Sequence, residues 1–162
     1  DINSYLIKNQ LLMLEKIKND NRFSRDIVTL PGMAQFRTTR CIRGNYTIRE
    51  SDVYRHFEDS VAAVCDFDRR DYLYEIPYSA MVNNQFDNLI TAGRTVSAEG
   101  YAWDVTRVIP PAILTGQAAG AAAAIALDSG SPIYGIDIKN LQKKLLDECV
   151  IIHYDDSLAP KK

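Results

Sequence analysis

Arg37, Arg40, Arg43 and Arg49 stand at close spacing in the sequence. Guanidinium groups clamp carboxylates and phosphates through paired N–H donors. The stretch therefore reads either as a site for an anionic ligand or as a strand face with solvated charges. A second feature is a run of 20 residues, 108–127, without a charge. It opens Val108-Ile109-Pro110-Pro111, and proline suits the first turn of a helix, where its missing N–H has no partner to lose. The N–H groups and positive dipole end of such a helix favour an anionic group. Gly116 and Gly120, one turn apart, would let it approach a sheet or a ligand at backbone distance.

Other reactive side chains are sparse. There are two histidines, His56 and His153, far apart in sequence, and so few give no convincing Ser-His-Asp set. His56 falls in a charged stretch and is expected on the surface. Cys41, Cys65 and Cys149 are odd in number and widely spaced, which suggests neither a zinc site nor a disulfide framework. We expect reduced, partly buried thiols and no metal site.

These residues need elements to hold them. Residues 3–19 predict a helix capped by Asn3 or Ser4, with Leu6, Ile7, Leu11, Leu14 and Ile17 as an apolar stripe that needs a partner. Residues 27–30 and 35–43 predict strands, the first stopped by Pro31-Gly32. Residues 46–48 continue the extended chain, and Thr47-x-x-Glu50 predicts a capping box before residues 51–57. Residues 61–67 and 72–78 predict two further strands around a charged turn at 68–71, with Pro77 near a sheet edge. A polar loop at 83–88 leads to a short buried strand, 88–92, ending at Gly93-Arg94. An irregular loop over 95–106 precedes the uncharged helix. Asp137 caps a last amphipathic helix over 138–148, with Leu141, Leu145 and Leu146 inward.

Composition excludes several classes. The 162 residues are 46% hydrophobic and 25% charged, which is ordinary for a folded domain. Net charge is −2, and no aromatic residues interleave with a basic run, so nucleic acid is not an expected partner. Charge is uneven: residues 1–49 carry nine Lys/Arg against four Asp/Glu, net +5, and residues 50–162 carry ten against seventeen, net −7. The uncharged run passes the length threshold of a membrane span. Its two prolines, Thr115, Gln117 and its alanines argue for a helix outside the membrane, and no membrane partner is expected. No signal peptide is visible, which leaves location open with the cytoplasm ahead of export.

Several segments, taken in order, resemble a family. They are Phe36-Arg37-Thr-Thr39-Arg40-x-Ile42-x-Gly44-x-Tyr46, Asp52-Val53, Tyr74-Glu-Ile-Pro-Tyr78, Asn88-Leu-Ile-Thr-Ala-Gly-Arg94, Ser97-Ala98, Arg107-Val108 with Pro110, and Thr115-Gly-Gln-Ala-Ala-Gly120. This set is similar to the C-terminal part of bacterial FAD-dependent oxidoreductases of the glutathione-reductase and fumarate-reductase type. The resemblance covers most of residues 30–148. It implies a mixed α/β fold (α+β within these residues): the C-terminal part of an FAD/NAD(P)-binding-type fold with part of a substrate-side sheet. Residues 1–82 would be the substrate-side helix and sheet, and residues 83–162 the last strand and helices of the FAD-binding domain.

The resemblance further implies that FAD is the cofactor. Gly93 and Arg94 would approach its ribityl and pyrophosphate part. Arg107, Val108, Ile109, Pro110 and Gly116 would present the helix start to the flavin. Arg37 and Arg40 would act on the substrate side, holding an anionic small molecule. Two departures stand out. Where family members carry histidines and a Glu, this chain has Glu99-Gly-Tyr101-Ala-Trp-Asp104. It also holds no Gly-x-Gly-x-x-Gly, the turn that seats the FAD pyrophosphate. We therefore expect a portion of a longer enzyme, inactive by itself and binding FAD weakly or not at all, with apolar surface that favours a homodimer. The alternative is a non-enzymatic anion-binding or oligomerisation module.

Overall fold

The computed structural model describes residues 1–20, 23–24, 27–30, 32 and 37–160, and divides into two compact units, residues 1–37 and 38–162. Unit 1 holds helix α1, Ile2–Lys18. It begins at Asp1, with no side-chain cap bond, so neither Asn3 nor Ser4 caps it. None of its residues is buried; of the predicted stripe, Ile7 and Leu11 stand 54% and 59% exposed, and Leu6, Leu14 and Ile17 are half-buried. Residues 27–30, predicted as a strand, contain none.

Unit 2 is built on an antiparallel hairpin, β1 (Ser60–Cys65) and β2 (Leu73–Pro77). Val61, Ala62 and Val64 on β1 and Tyr74 and Ile76 on β2 are buried, which matches the β-branched and aromatic content that drew both strands from sequence. The charged turn between them needs a positive φ at Asp71. Residues 37–43 are not a strand, and residues 35–36 of that expectation, like Pro31, lie outside the described residues. The chain there is tied down by single bonds, Ile42 N–H to the Thr95 carbonyl at 2.8 Å among them.

Three helices follow: α3 (Ile109–Ser129) and α4 (Ile138–Asp147) pack on the hairpin, and α2 (Gly100–Thr106) packs on α3. α3 packs on β1 and α4 through Thr115, Ala118, Ala121, Ala122 and Ile125, all buried. Gly130, at φ +65°, closes it in the left-handed cap that glycine adopts without strain. By length and composition α3 is also apolar enough to cross a membrane, and its outer face leaves Ile109, Ile113 and Leu127 exposed. Asp137 caps α4 as its sequence position suggests, accepting from the Lys139 and Asn140 N–H groups. Leu141 and Leu145 point inward, but Leu146 is 54% exposed, because one residue further round the helix turns it about 100° away.

Two expected elements differ. Residues 88–92 form no strand: Leu89 is exposed, and only Ile90 pairs, in a single antiparallel bridge with Val82. Residues 100–106, expected as loop, are α2, whose Ala102, Val105 and Thr106 are buried. The predicted capping box also shifts. Thr47 Oγ1 bonds Ser97 Oγ at 2.9 Å, while the Asp52 carboxylate accepts from the Arg49 N–H at 2.9 Å ahead of a single 3-10 turn.

Candidate functional site

A cleft in unit 2 lies at the start of α3. It holds about 570 Å³ and is lined by residues 63–65, Phe67, residues 107–111 and Leu114. One wall is the end of β1, the other the junction between α2 and α3. Its lining is apolar apart from Arg107, and Phe67 and Ile109 stand 66% and 75% exposed at its rim. The sequence places this cleft by punctuation: α2 ends at Thr106, Arg107 caps it by bonding the Trp103 carbonyl, and Val108 then takes the extended N-cap geometry of α3.

The start of α3 is poor in donors. Pro110 and Pro111 have no N–H, and the Ala112 N–H bonds the Val108 carbonyl at 3.1 Å. Ile109 is thus the residue of the first turn with an N–H to offer, together with the helix dipole. The Arg107 guanidinium bonds Asp104 at 2.7 Å, and its side chain is 21% exposed against 45% for Asp104. Its charge is shared with that carboxylate and held in place by it.

Of the cofactor-binding residues expected from sequence, Arg107, Val108, Ile109 and Pro110 line this cleft. Gly93 and Gly116 do not. Gly93 sits at φ +64° in a 3-10 turn, with its N–H bonded to Thr115 Oγ1 at 2.8 Å. It fastens that turn to α3, and a Cβ there would meet the Ala112 Cβ at 3.5 Å. Gly116 faces open space. Arg94 is exposed, and its carbonyl accepts from the Trp103 indole N–H at 2.9 Å. Arg37 is exposed in unit 1 and Arg40 in unit 2, while Arg43 lines a separate cleft of about 360 Å³ with Thr47, Glu99 and Trp103.

Glu99, Tyr101 and Asp104, which stand where the resembled family carries histidines and a Glu, all have partners. Glu99 pairs with Arg49 at 2.8 Å, and Asp104 with Arg107. The Tyr101 hydroxyl donates to Asp66 Oδ1 at 3.1 Å; burial and that neighbouring carboxylate push its pKa up to about 12, so it stays protonated near neutrality. Asp66 Oδ2 is buried without a partner.

Many residues of the sequence motifs are scaffold. At Gly44 a Cβ would come within 2.9 Å of the Ser79 carbonyl and the Ser97 Cβ, so only glycine fits. Asp52 is 3% exposed and accepts from the Tyr46 hydroxyl at 2.8 Å and Arg55 at 3.0 Å. The Tyr78 hydroxyl, held protonated by burial, donates to the Ile133 carbonyl at 2.5 Å.

Sequence reasoning missed a polar cluster at the other side of the hairpin. Glu75 is fully buried on β2. Its Oε2 accepts from the Phe57 N–H at 2.8 Å, and its Oε1 meets His56 Nδ1 at 2.6 Å and His153 Nδ1 at 3.0 Å. His56 Nε2 meets Asp156 at 2.9 Å, and its ring stacks on Tyr154 with centroids 4.2 Å apart. The bond to Asp156, with Glu75 adding to it, raises the His56 pKa above its ordinary value. The histidines are therefore neighbours in space, although His56 lies at the surface as expected and His153 does too. The cysteines, expected partly buried, are all exposed. A lone carboxylate within the otherwise apolar run Leu73–Pro77 was the available signal.

A mixed α/β unit whose apolar cleft opens at a helix start is an arrangement suited to a flat, largely apolar cofactor. The family model of FAD dependent oxidoreductases matches residues 11–145, and the chain belongs to that family. No curated protein and no solved structure matches it significantly.

The residues around the cleft fit part of FAD. Apolar walls, a helix N-terminus and one arginine suit the flavin ring. The pyrophosphate finds no glycine-rich turn anywhere in these 162 residues.

Proposed function

We propose that this chain supplies the flavin-facing side of an FAD-dependent oxidoreductase, with the cleft at the start of α3 receiving the ring. The observation that carries this reading is that Arg107, Val108, Ile109 and Pro110 line one apolar cleft together. When bound, FAD supplies the hydride chemistry. The protein's part is placement and charge. The walls from β1 and Leu114 exclude water, while the α3 dipole and Arg107 favour negative charge at the cleft. Residues 83–162 would belong to the FAD-binding domain, and the phosphate cradle would come from sequence outside these 162 residues. Arg40 in unit 2 and Arg37 in unit 1 are each candidates for contact with an anionic small-molecule substrate. The exposed outer face of α3, with Ile113 and Leu127, is the surface on which a homodimer would form.

Flavin fluorescence tests the reading. Riboflavin and FAD are titrated separately with the chain. Weak quenching by both, at affinities within tenfold of each other and reduced by Arg107→Ala, is the expected result. No quenching by either would overturn the ring site. FAD binding more than tenfold tighter than riboflavin would overturn the claim that the phosphate cradle lies elsewhere.

A further inference from the structure

A carboxylate taken fully out of water is costly unless charge or hydrogen bonds compensate it. Glu75 meets that condition with two imidazoles brought from opposite ends of unit 2. His56 lies 19 residues before it and His153 lies 78 residues after, yet both present Nδ1 to the same oxygen. The three ligand atoms lie within 4.8 Å of one another. Bonds of about 2.0–2.1 Å to a tetrahedral ion require roughly 3.3 Å between ligand atoms. Both histidine side chains are 42% exposed, so they have room to make that adjustment around the fixed carboxylate. Asp156 adds an outer partner. It holds the far nitrogen of His56, the placement by which carboxylates orient metal-binding imidazoles. The stack on Tyr154 fixes the plane of the same ring.

We propose that His56, Glu75 and His153 bind one divalent transition-metal ion of the zinc class, with solvent in the fourth position. Two imidazoles and a carboxylate suit zinc, cobalt, nickel or copper; calcium and magnesium prefer all-oxygen shells. The ion ties the C-terminal segment to β2, and this role is independent of the flavin cleft.

The test is a Co²⁺ titration of the full chain, free of any histidine tag, followed by visible absorption, with Zn²⁺ calorimetry alongside. The sequence has only these two histidines, so no other imidazole competes. One Co²⁺ per chain with visible d–d bands is expected, displaced by one Zn²⁺. His56→Ala and His153→Ala each weaken binding at least tenfold. His153→Gln keeps a donor toward Glu75 but offers no ring nitrogen, and loses binding to the same extent with an unchanged circular dichroism spectrum. Asp156→Asn weakens it about tenfold or more. Absence of d–d bands in the parent chain overturns the proposal. So does a thiolate charge-transfer band, or His153→Gln binding Co²⁺ as tightly as the parent.

Discussion

The cleft at the start of α3 and the cluster around Glu75 flank the same hairpin but are built on opposite terms. The cleft comes mostly from one contiguous stretch, residues 107–114, and its walls are apolar and partly exposed. The cluster gathers three separate segments around a carboxylate with no exposure at all. A site that waits for a cofactor needs shape and few polar groups, because the cofactor brings the chemistry. A buried charge needs complete compensation in the protein itself. Substitutions in the cluster should therefore cost folding stability, and those at the cleft should cost binding.

The largest expected effect is at the cluster. Glu75→Leu strands the Phe57 N–H and leaves two histidines without their acceptor, and should lower stability by about 3 kcal/mol in urea unfolding. A loss below 1 kcal/mol would break the comparison. Ala118→Leu comes next. Ala118 is fully buried on the inner face of α3, and overpacking there should cost about 2 kcal/mol by the same measurement. Gly93→Ala should cost about 1 kcal/mol, since its φ of +64° strains any side chain although space exists beside Ala112. Ile109→Asp should change stability by no more than about 0.5 kcal/mol, because the side chain is 75% exposed, while weakening riboflavin binding. Gly116→Ala should stabilise by about 0.5–1 kcal/mol, as the helix interior favours alanine and the space is open.

The start of α3 was readable from sequence and the cluster was not, for physical reasons. Pro110, Pro111 and Gly130 act on the backbone locally, so they mark the ends of α3 without knowledge of its neighbours. Asp137 marks α4 in the same way. The cluster exists only because the hairpin and the C-terminal segment meet, and no local spacing reports that meeting. Residues 88–92 misled because four apolar or β-branched residues look like a strand, whereas strand formation needs partners and only Val82 pairs there. α2 was hidden by Gly100, which reads as a breaker but sits at the helix start with φ +56°. The family-like segments carry two kinds of residue: Gly44, Asp52, Tyr78 and Thr115 hold the scaffold, and Arg107 to Pro110 shape the cleft.

Where a flavin lands on this chain tests the central claim most directly. Amide shifts of the isotopically labelled protein, followed during riboflavin addition, report that position residue by residue. The account predicts changes concentrated at residues 63–67 and 107–114, with residues 87–90 and 126–133 at the far end of α3 unmoved. Shifts centred on that far end, or none at saturating riboflavin, would contradict it.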